Sequence, residues 1–273
     1  MASLTDHPEL PEGIVPPDAR QPRWPWWLPP LALLGTFAIA TVALIIGLAV
    51  SGETKPTPAV SLAATFVQDV GLIACAVLFS FLAGKPSAAQ FGLRPTRFWS
   101  AVGWLLVAWV GFFVFSAFWS VLMKAVGVKL DDNLPQQLGA DKSTAALVAT
   151  AVLVCVVAPI AEEFFFRGFF FTALRGSVGL WWAAAITGLV FGLIHFKLEF
   201  LAPLAVLGFA LCLLYAKTGS LLPCIALHAL NNSLAFGVTQ GWTWEIPVTM
   251  VGALAVIALL VAPVIRRTSL AIA

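Results

Sequence analysis

The chain has 273 residues, 60% of them hydrophobic and only 10% charged, with a formal net charge of +2. Soluble domains are about a quarter charged, so a water-soluble globule is excluded. The few charges are scattered among connecting segments, and no nucleic-acid partner is expected.

Residues 1–27, which include "HPELPEGIVPPDARQPRWPW", are polar and proline-rich. Such a stretch has too little apolar surface to fold alone, so a short disordered cytoplasmic tail is expected. The first apolar run starts late and is too long for the h-region of a cleaved signal peptide. Apolar runs of about 20 residues, enough to cross a ~30 Å hydrocarbon core as helices, then recur along the chain. Eight are expected: 28–50, 60–83, 99–123, 144–174, 180–196, 200–217, 221–238 and 246–265. The fourth is long enough to tilt or to project into water; the fifth and sixth are short and nearly continuous. In lipid every backbone group must be satisfied internally, which excludes an open sheet. The fold class is therefore all-α: a polytopic membrane helical bundle of about eight transmembrane helices, with residues 28–273 as one domain and no internal repeat.

Charge sets the orientation. With the N-terminus cytoplasmic, nine Lys and Arg residues fall in inner segments and five in outer ones, where Asp and Glu dilute them. This bias, with an even number of spans, places both termini inside. Trp24, Trp26, Trp27, Trp99, Trp181 and Trp182 fall at inner boundaries, and Trp119, Trp242 and Trp244 at outer ones, as interfacial belts. Cys75, Cys155, Cys212 and Cys224 all lie in apolar spans without CxxC spacing, as reduced packing residues rather than a disulfide framework or thiolate metal site.

Few ionisable groups remain inside the spans: Asp69, Glu162, Glu163, Arg167, His195 and His228, with Asn231 and Asn232 beside the last. A carboxylate at mid-bilayer costs roughly 2.5–3.5 kcal/mol, so each is a functional candidate. In "PIAEEFFFR", Glu163 and Arg167 are i and i+4 and share a helix face, and a buried guanidinium needs a carboxylate or carbonyls around it. Glu163 is most simply the structural partner of Arg167. Glu162 points about 100° away and has no such partner in sequence. An unpaired carboxyl in a low-dielectric site suits general acid–base work near neutral pH. Pro159 removes one helical hydrogen bond and is expected to kink the helix and open room beside it.

In "HALNNS", His228 and Asn232 are again i and i+4, an imidazole and an amide offering up to three donors for a developing oxyanion. His195 closes "FGLIH", with Phe191 one turn before it. At 1.5 Å per residue, Glu162 lies ~18 Å from the inner end of its span, His195 ~22 Å, and His228 and Asn232 ~12–18 Å. A single Glu–Arg pair or histidine in a membrane bundle is commonly a packing contact. Three helices with polar groups at one depth point further. Asp69 is read as a buried partner of another helix or a cavity liner. The Phe164–Phe166 and Phe169–Phe171 clusters are read as lipid-facing or packing residues.

These residues resemble a known family. "EEFFFR" (Glu162, Glu163, Arg167) is similar to the EExxxR motif of the CAAX prenyl protease and bacteriocin-processing family of intramembrane proteases, also called Abi proteins. "FGLIH" (Phe191, His195) is similar to its FxxxH motif and "HALNN" (His228, Asn232) to its HxxxN motif, in the family's order. The loop "FGLRPTRF", 91–98, resembles one common in bacterial members. The resemblance implies an integral, multi-pass endopeptidase of a bacterial cytoplasmic membrane. Its partners would be membrane lipid and a membrane-associated peptide or protein substrate, prenylated or not. By that resemblance Glu162 and His195 would activate the water, His228 and Asn232 would form the oxyanion hole, and Glu163 and Arg167 would support the site.

No cofactor is required by this scheme. One alternative makes Glu162, His195 and His228 the ligands of a catalytic zinc with an open fourth position. Others are a proton-coupled transporter using the same groups as a relay, or a scaffold whose polar cluster only joins helices.

Overall fold

A computed structural model describes residues 24–130 and 133–270. Nine helices appear among them, and no strand. These are α1 (Leu28–Ser51), α2 (Pro58–Ser80), α3 (Phe98–Ala125), the short α4 (Leu134–Gln137), α5 (Thr144–Val178), α6 (Leu180–Leu193), α7 (Leu201–Thr218), α8 (Leu221–Thr239) and α9 (Glu245–Leu270). Seven are long and apolar enough to cross a membrane, and α6 is a shorter apolar helix of 14 residues. The chain is thus an integral multi-pass membrane protein, and all eight expected spans correspond to helices.

Local chemistry sets the ends. Proline occupies the first turn of α1 and α2, where its missing N–H removes no helical bond. Thr57 caps α2 by accepting from the Val60 N–H (3.3 Å), and Ser143 caps α5 by accepting from that of Ala146 (3.1 Å). The expected tail over 1–23 lies outside the described residues. Residues 24–27, assigned to the same tail, are folded. Trp24 is buried, its ring 4.7 Å from Phe91 and 5.0 Å from Phe169. It is therefore a core residue rather than an interfacial one, whereas Trp26, Trp27, Trp99, Trp181, Trp182 and Trp244 are exposed on the apolar exterior.

The spans are not equivalent. Helices α1 and α3 bury little of their surface, whereas α8 is the most enclosed, with α7, α5 and α2 next. Helices α6 and α7 pack most closely, and glycines explain why. A Cβ on Gly188 would lie 2.6 Å from the Ala205 carbonyl, one on Gly192 2.7 Å from that of Leu201, and one on Gly208 2.8 Å from the Gly188 Cα. Lipid tails give apolar helices no reason to associate, so close backbone approach through small residues supplies the attraction. The Phe164–Phe166 and Phe169–Phe171 clusters are packing residues, none more than 9% exposed.

The 91–98 loop clamps one end of the bundle, where α7 passes into α8. Arg94 Nε donates to the Gly219 carbonyl, Thr96 Oγ1 to Thr218 O (3.0 Å), and the Leu221 N–H to Gly92 O (2.9 Å). Phe91 stacks on Phe164 with centroids 4.3 Å apart, so the loop is tied to α5 as well. Gly92 sits at φ +85°, where a Cβ would fall 2.5 Å from the Tyr215 hydroxyl oxygen. Only glycine fits there.

Candidate active site

Helix α5 carries the carboxylates, and its backbone is not uniformly α-helical. It widens to π-helical turns at Leu153–Val157 and Phe164–Phe171, on either side of Ala158–Glu163. Such widenings recur at functional sites. In the first, the Ala158 N–H bonds back to Leu153 O, and Pro159 has no N–H to give. The carbonyl of Val154 is thereby left without an intrahelical donor. Asn232 Nδ2, on α8, donates to it at 2.9 Å. The bond that Pro159 was expected to remove is removed, and its loss orients the Asn232 amide.

Glu163 and Arg167 form the ion pair, Oε1 to Nη1 at 2.7 Å, with both side chains fully buried. Arg167 Nη2 also donates to Gly208 O at 3.1 Å, and the guanidinium lies over the Phe191 ring, 4.6 Å from its centroid. That combination of carboxylate, carbonyl and aromatic face is what a buried guanidinium requires. The same Glu163 oxygen is 2.8 Å from His228 Nδ1. A carboxylate only accepts, so Nδ1 carries the hydrogen and Nε2 of the neutral ring holds a lone pair. Nε2 lies 3.9 Å from Glu162 Oε2. One Glu163 oxygen thus ties Arg167 on α5 to His228 on α8, and Arg167 carries the link on to Gly208 of α7, a connection that spacing along α5 does not reveal.

Glu162 itself is unpaired. Its side chain is 14% exposed and Oε2 has no hydrogen-bond partner. His195, half-buried just past the end of α6, has Nδ1 2.7 Å from Phe191 O. The carbonyl fixes the tautomer, leaving the Nε2 lone pair as a base. The Phe191 ring lies between the histidines, with centroids 5.0 Å from His195 and 5.8 Å from His228. Immediately after His195 the chain turns through Phe196 at φ +53°, a left-handed conformation that bulky residues rarely adopt.

Glu162, Glu163, Arg167 and His228 adjoin one another across α5 and α8, Asn232 meets α5 at the Val154 carbonyl, and His195 adjoins Phe191, whose ring also lies beside Arg167 and His228. The donor count narrows, however. His228 Nδ1–H is taken up by Glu163 and one Asn232 N–H by Val154 O, so the second Asn232 N–H remains, with His228 Nε2–H only when the ring is doubly protonated. The zinc alternative needs Glu162, His195 and His228 to converge on one point. Among the described residues no three His, Cys, Asp or Glu side chains are so placed, and as arranged these donors do not fit a three-ligand centre.

The sequence reads Asp69 as a buried partner of another helix or a cavity liner. It is 1% exposed on α2, which packs against α5, and its Oδ2 has no hydrogen-bond partner. At 1.5 Å per residue Asp69 lies ~21 Å from the Ala83 end of its expected span, within the depth range expected for the other groups.

Fold and site together define a polytopic helical membrane protein with a carboxylate–histidine cluster held inside the bundle. Residues 144–234, one third of the chain, match the type II CAAX prenyl endopeptidase family described as Rce1-like. The resemblance carried by the three motifs holds over that segment, which contains all of them. The chain is also similar to the proposed membrane peptidase YdiL of Bacillus subtilis (strain 168), with 32% identity over 82 residues, 30% of this chain and 34% of the relative. An uncharacterized 24.3 kDa protein of Escherichia coli is 31% identical over 143 residues, 50% of this chain and 62% of the relative. These matches span a third and under two thirds of the curated relatives' lengths. No solved structure matches the chain significantly.

Proposed function

We propose that the protein is an intramembrane endopeptidase that hydrolyses a peptide bond with side chains alone. The observation that carries this reading is the asymmetry of the paired glutamates. Glu163 is bound on two sides, whereas Glu162 is unpaired and looks onto His228 Nε2 at 3.9 Å. A purely structural cluster has no use for the second carboxylate.

Glu162 accepts a proton from water, with His195 Nε2 as the second acceptor, and the oxygen attacks the carbonyl carbon. The oxyanion takes the remaining Asn232 N–H, with His228 Nε2–H when the ring is an imidazolium between Glu162 and Glu163. The proton then passes from Glu162 to the leaving nitrogen, and the carbon–nitrogen bond breaks. Both termini face the cytoplasm, and the substrate is a membrane-associated peptide or protein.

The test compares membranes carrying the wild-type protein with membranes carrying Glu162→Ala, looking for accumulated precursors, and then follows cleavage of one such precursor by purified protein. Cleavage that survives exhaustive chelation and is lost in Glu162→Ala supports the scheme. Stoichiometric zinc, with activity lost on its removal and regained on its return, would promote the metal-dependent alternative. Proton-coupled uptake into vesicles without cleavage would identify a transporter.

A further inference from the structure

The turn that follows His195 is made by a residue ill-suited to its backbone. Phe196 sits at φ +53°, and among the described residues every other positive φ belongs to a glycine. Helices α1 and α7 close on glycines, Gly52 at +70° and Gly219 at +65°, where the missing Cβ leaves the left-handed turn unstrained. A Cβ in that conformation crowds the following carbonyl, and such strain persists only where the surroundings hold it. Burial does not account for the phenylalanine, because its side chain is 81% exposed. What the ring makes is a contact. It meets the Phe37 ring of α1 edge to face, with centroids 6.1 Å apart and planes at 71°.

Helix α1 packs on α2 and on the Phe164–Phe171 turns of α5. A cavity of about 780 Å³ lies between α1, α5 and α6, with Phe37 among its lining residues. Phe37 thus meets Phe196 beside open space rather than within a packed helix seam. The partners that hold the His195 ring are local: Nδ1 lies 2.7 Å from Phe191 O and the ring 5.0 Å from that of Phe191, both on its own helix. The far end of the connection to α7 is tied to α3, where Trp119 Nε1 donates to Glu199 O at 2.8 Å. At the His195 end the corresponding tie is the Phe196 ring against α1.

We propose that Phe196 is a positioning residue for His195: its ring, braced on Phe37, holds the turn and with it the His195 backbone, so that the Nε2 lone pair keeps its direction toward the water. Glycine would make the same turn without strain but would leave nothing to brace against α1. This rests on the base role proposed for His195, but the brace itself can be tested without turnover.

The experiment uses the full-length protein in detergent micelles. Phe37→Leu keeps an apolar side chain on α1 and removes only the partner ring. The amides of Ile194, His195 and Phe196 bond to Val190 O, Gly192 O and Leu193 O. Hydrogen exchange read by mass spectrometry should show them exchanging about 2–10-fold faster in Phe37→Leu, the factor for losing one aromatic pair. Phe196→Gly should lower kcat about 10–10²-fold through misplacement, with little change in KM. Its unfolding temperature should be no lower than that of the wild type, because strain is relieved and little burial is lost. Phe37→Leu should lower kcat by a similar factor, and the double substitution by no more than either alone, since both remove one contact. Phe196→Tyr, which keeps the ring, should retain activity. Exchange unchanged by Phe37→Leu would overturn the inference whether or not the protein is a peptidase. Additive losses in the double substitution would overturn it too, as would an unfolding temperature that falls together with kcat in Phe196→Gly. Cleavage abolished by Glu162→Gln but undiminished in Phe37→Leu and Phe196→Gly would overturn it while leaving the proposed function standing.

Discussion

Replacing Glu163 by glutamine removes a charge that two other helices depend on. Both members of the Glu163–Arg167 pair are fully buried, so solvent does not screen the loss. Breaking such a pair typically costs ~3–5 kcal/mol, because the remaining charge is stranded. Arg167 would keep its bond to Gly208 O at 3.1 Å and the Phe191 face at 4.6 Å, which holds this part near ~3 kcal/mol. His228 Nδ1–H would lose its charged acceptor at 2.8 Å, and a hydrogen bond to a charged group contributes ~1.5–3 kcal/mol. The glutamine carbonyl can still accept from one of the two donors, so the expected loss is about 4 kcal/mol. Against a total stability of ~5–15 kcal/mol, that is readily measured. The assay is unfolding in micelles followed by tryptophan fluorescence, with turnover measured in parallel. Glu162→Gln, at a side chain whose Oε2 bonds to nothing, should unfold within ~1 kcal/mol of wild type and yet lose turnover. Equal stability losses at the two positions would refute the division of labour between the glutamates.

Asn232→Ala should lower kcat about 10²–10³-fold with little change in KM, the usual cost of one oxyanion donor; Asn231→Ala, about 100° around the helix, should do far less, and the opposite ranking would mean that the other face of α8 meets the substrate. Pro159→Ala should lower kcat by about 10–10²-fold through misplacement, because the alanine N–H can bond to Val154 O and release the Asn232 amide; stability should not fall, and full activity would show that the amide is held some other way. Gly188→Ala should destabilise by ~1–3 kcal/mol, since its Cβ would meet the Ala205 carbonyl at 2.6 Å, whereas Gly252→Ala, with nothing within 4 Å, should be neutral by the same unfolding assay.

The sequence by itself determined the helical class and the eight spans, because a bilayer permits few alternatives and a run of some twenty apolar residues carries that constraint locally. It also determined the Glu163–Arg167 pair, since i and i+4 on one helix is a local relation. What it left open depended on which helices become neighbours. Trp24 reads as an interfacial tryptophan until the 91–98 loop brings Phe91 against it. Glu163 reads as the partner of one arginine until α8 places His228 on the same oxygen, and His228 thereby changes from a free donor to an oriented ring with its lone pair toward Glu162. Pro159 reads as a kink, and only the adjoining π-turn makes it the residue that leaves a carbonyl for Asn232. Asp69 reads as a buried helix partner or a cavity liner, and its burial against neighbouring helices depends on how α2 packs. Spacing fixes what each helix can present on a face, whereas the contact between faces was decided by glycine-mediated close approach and side-chain packing, which have no signature at a fixed separation along the chain.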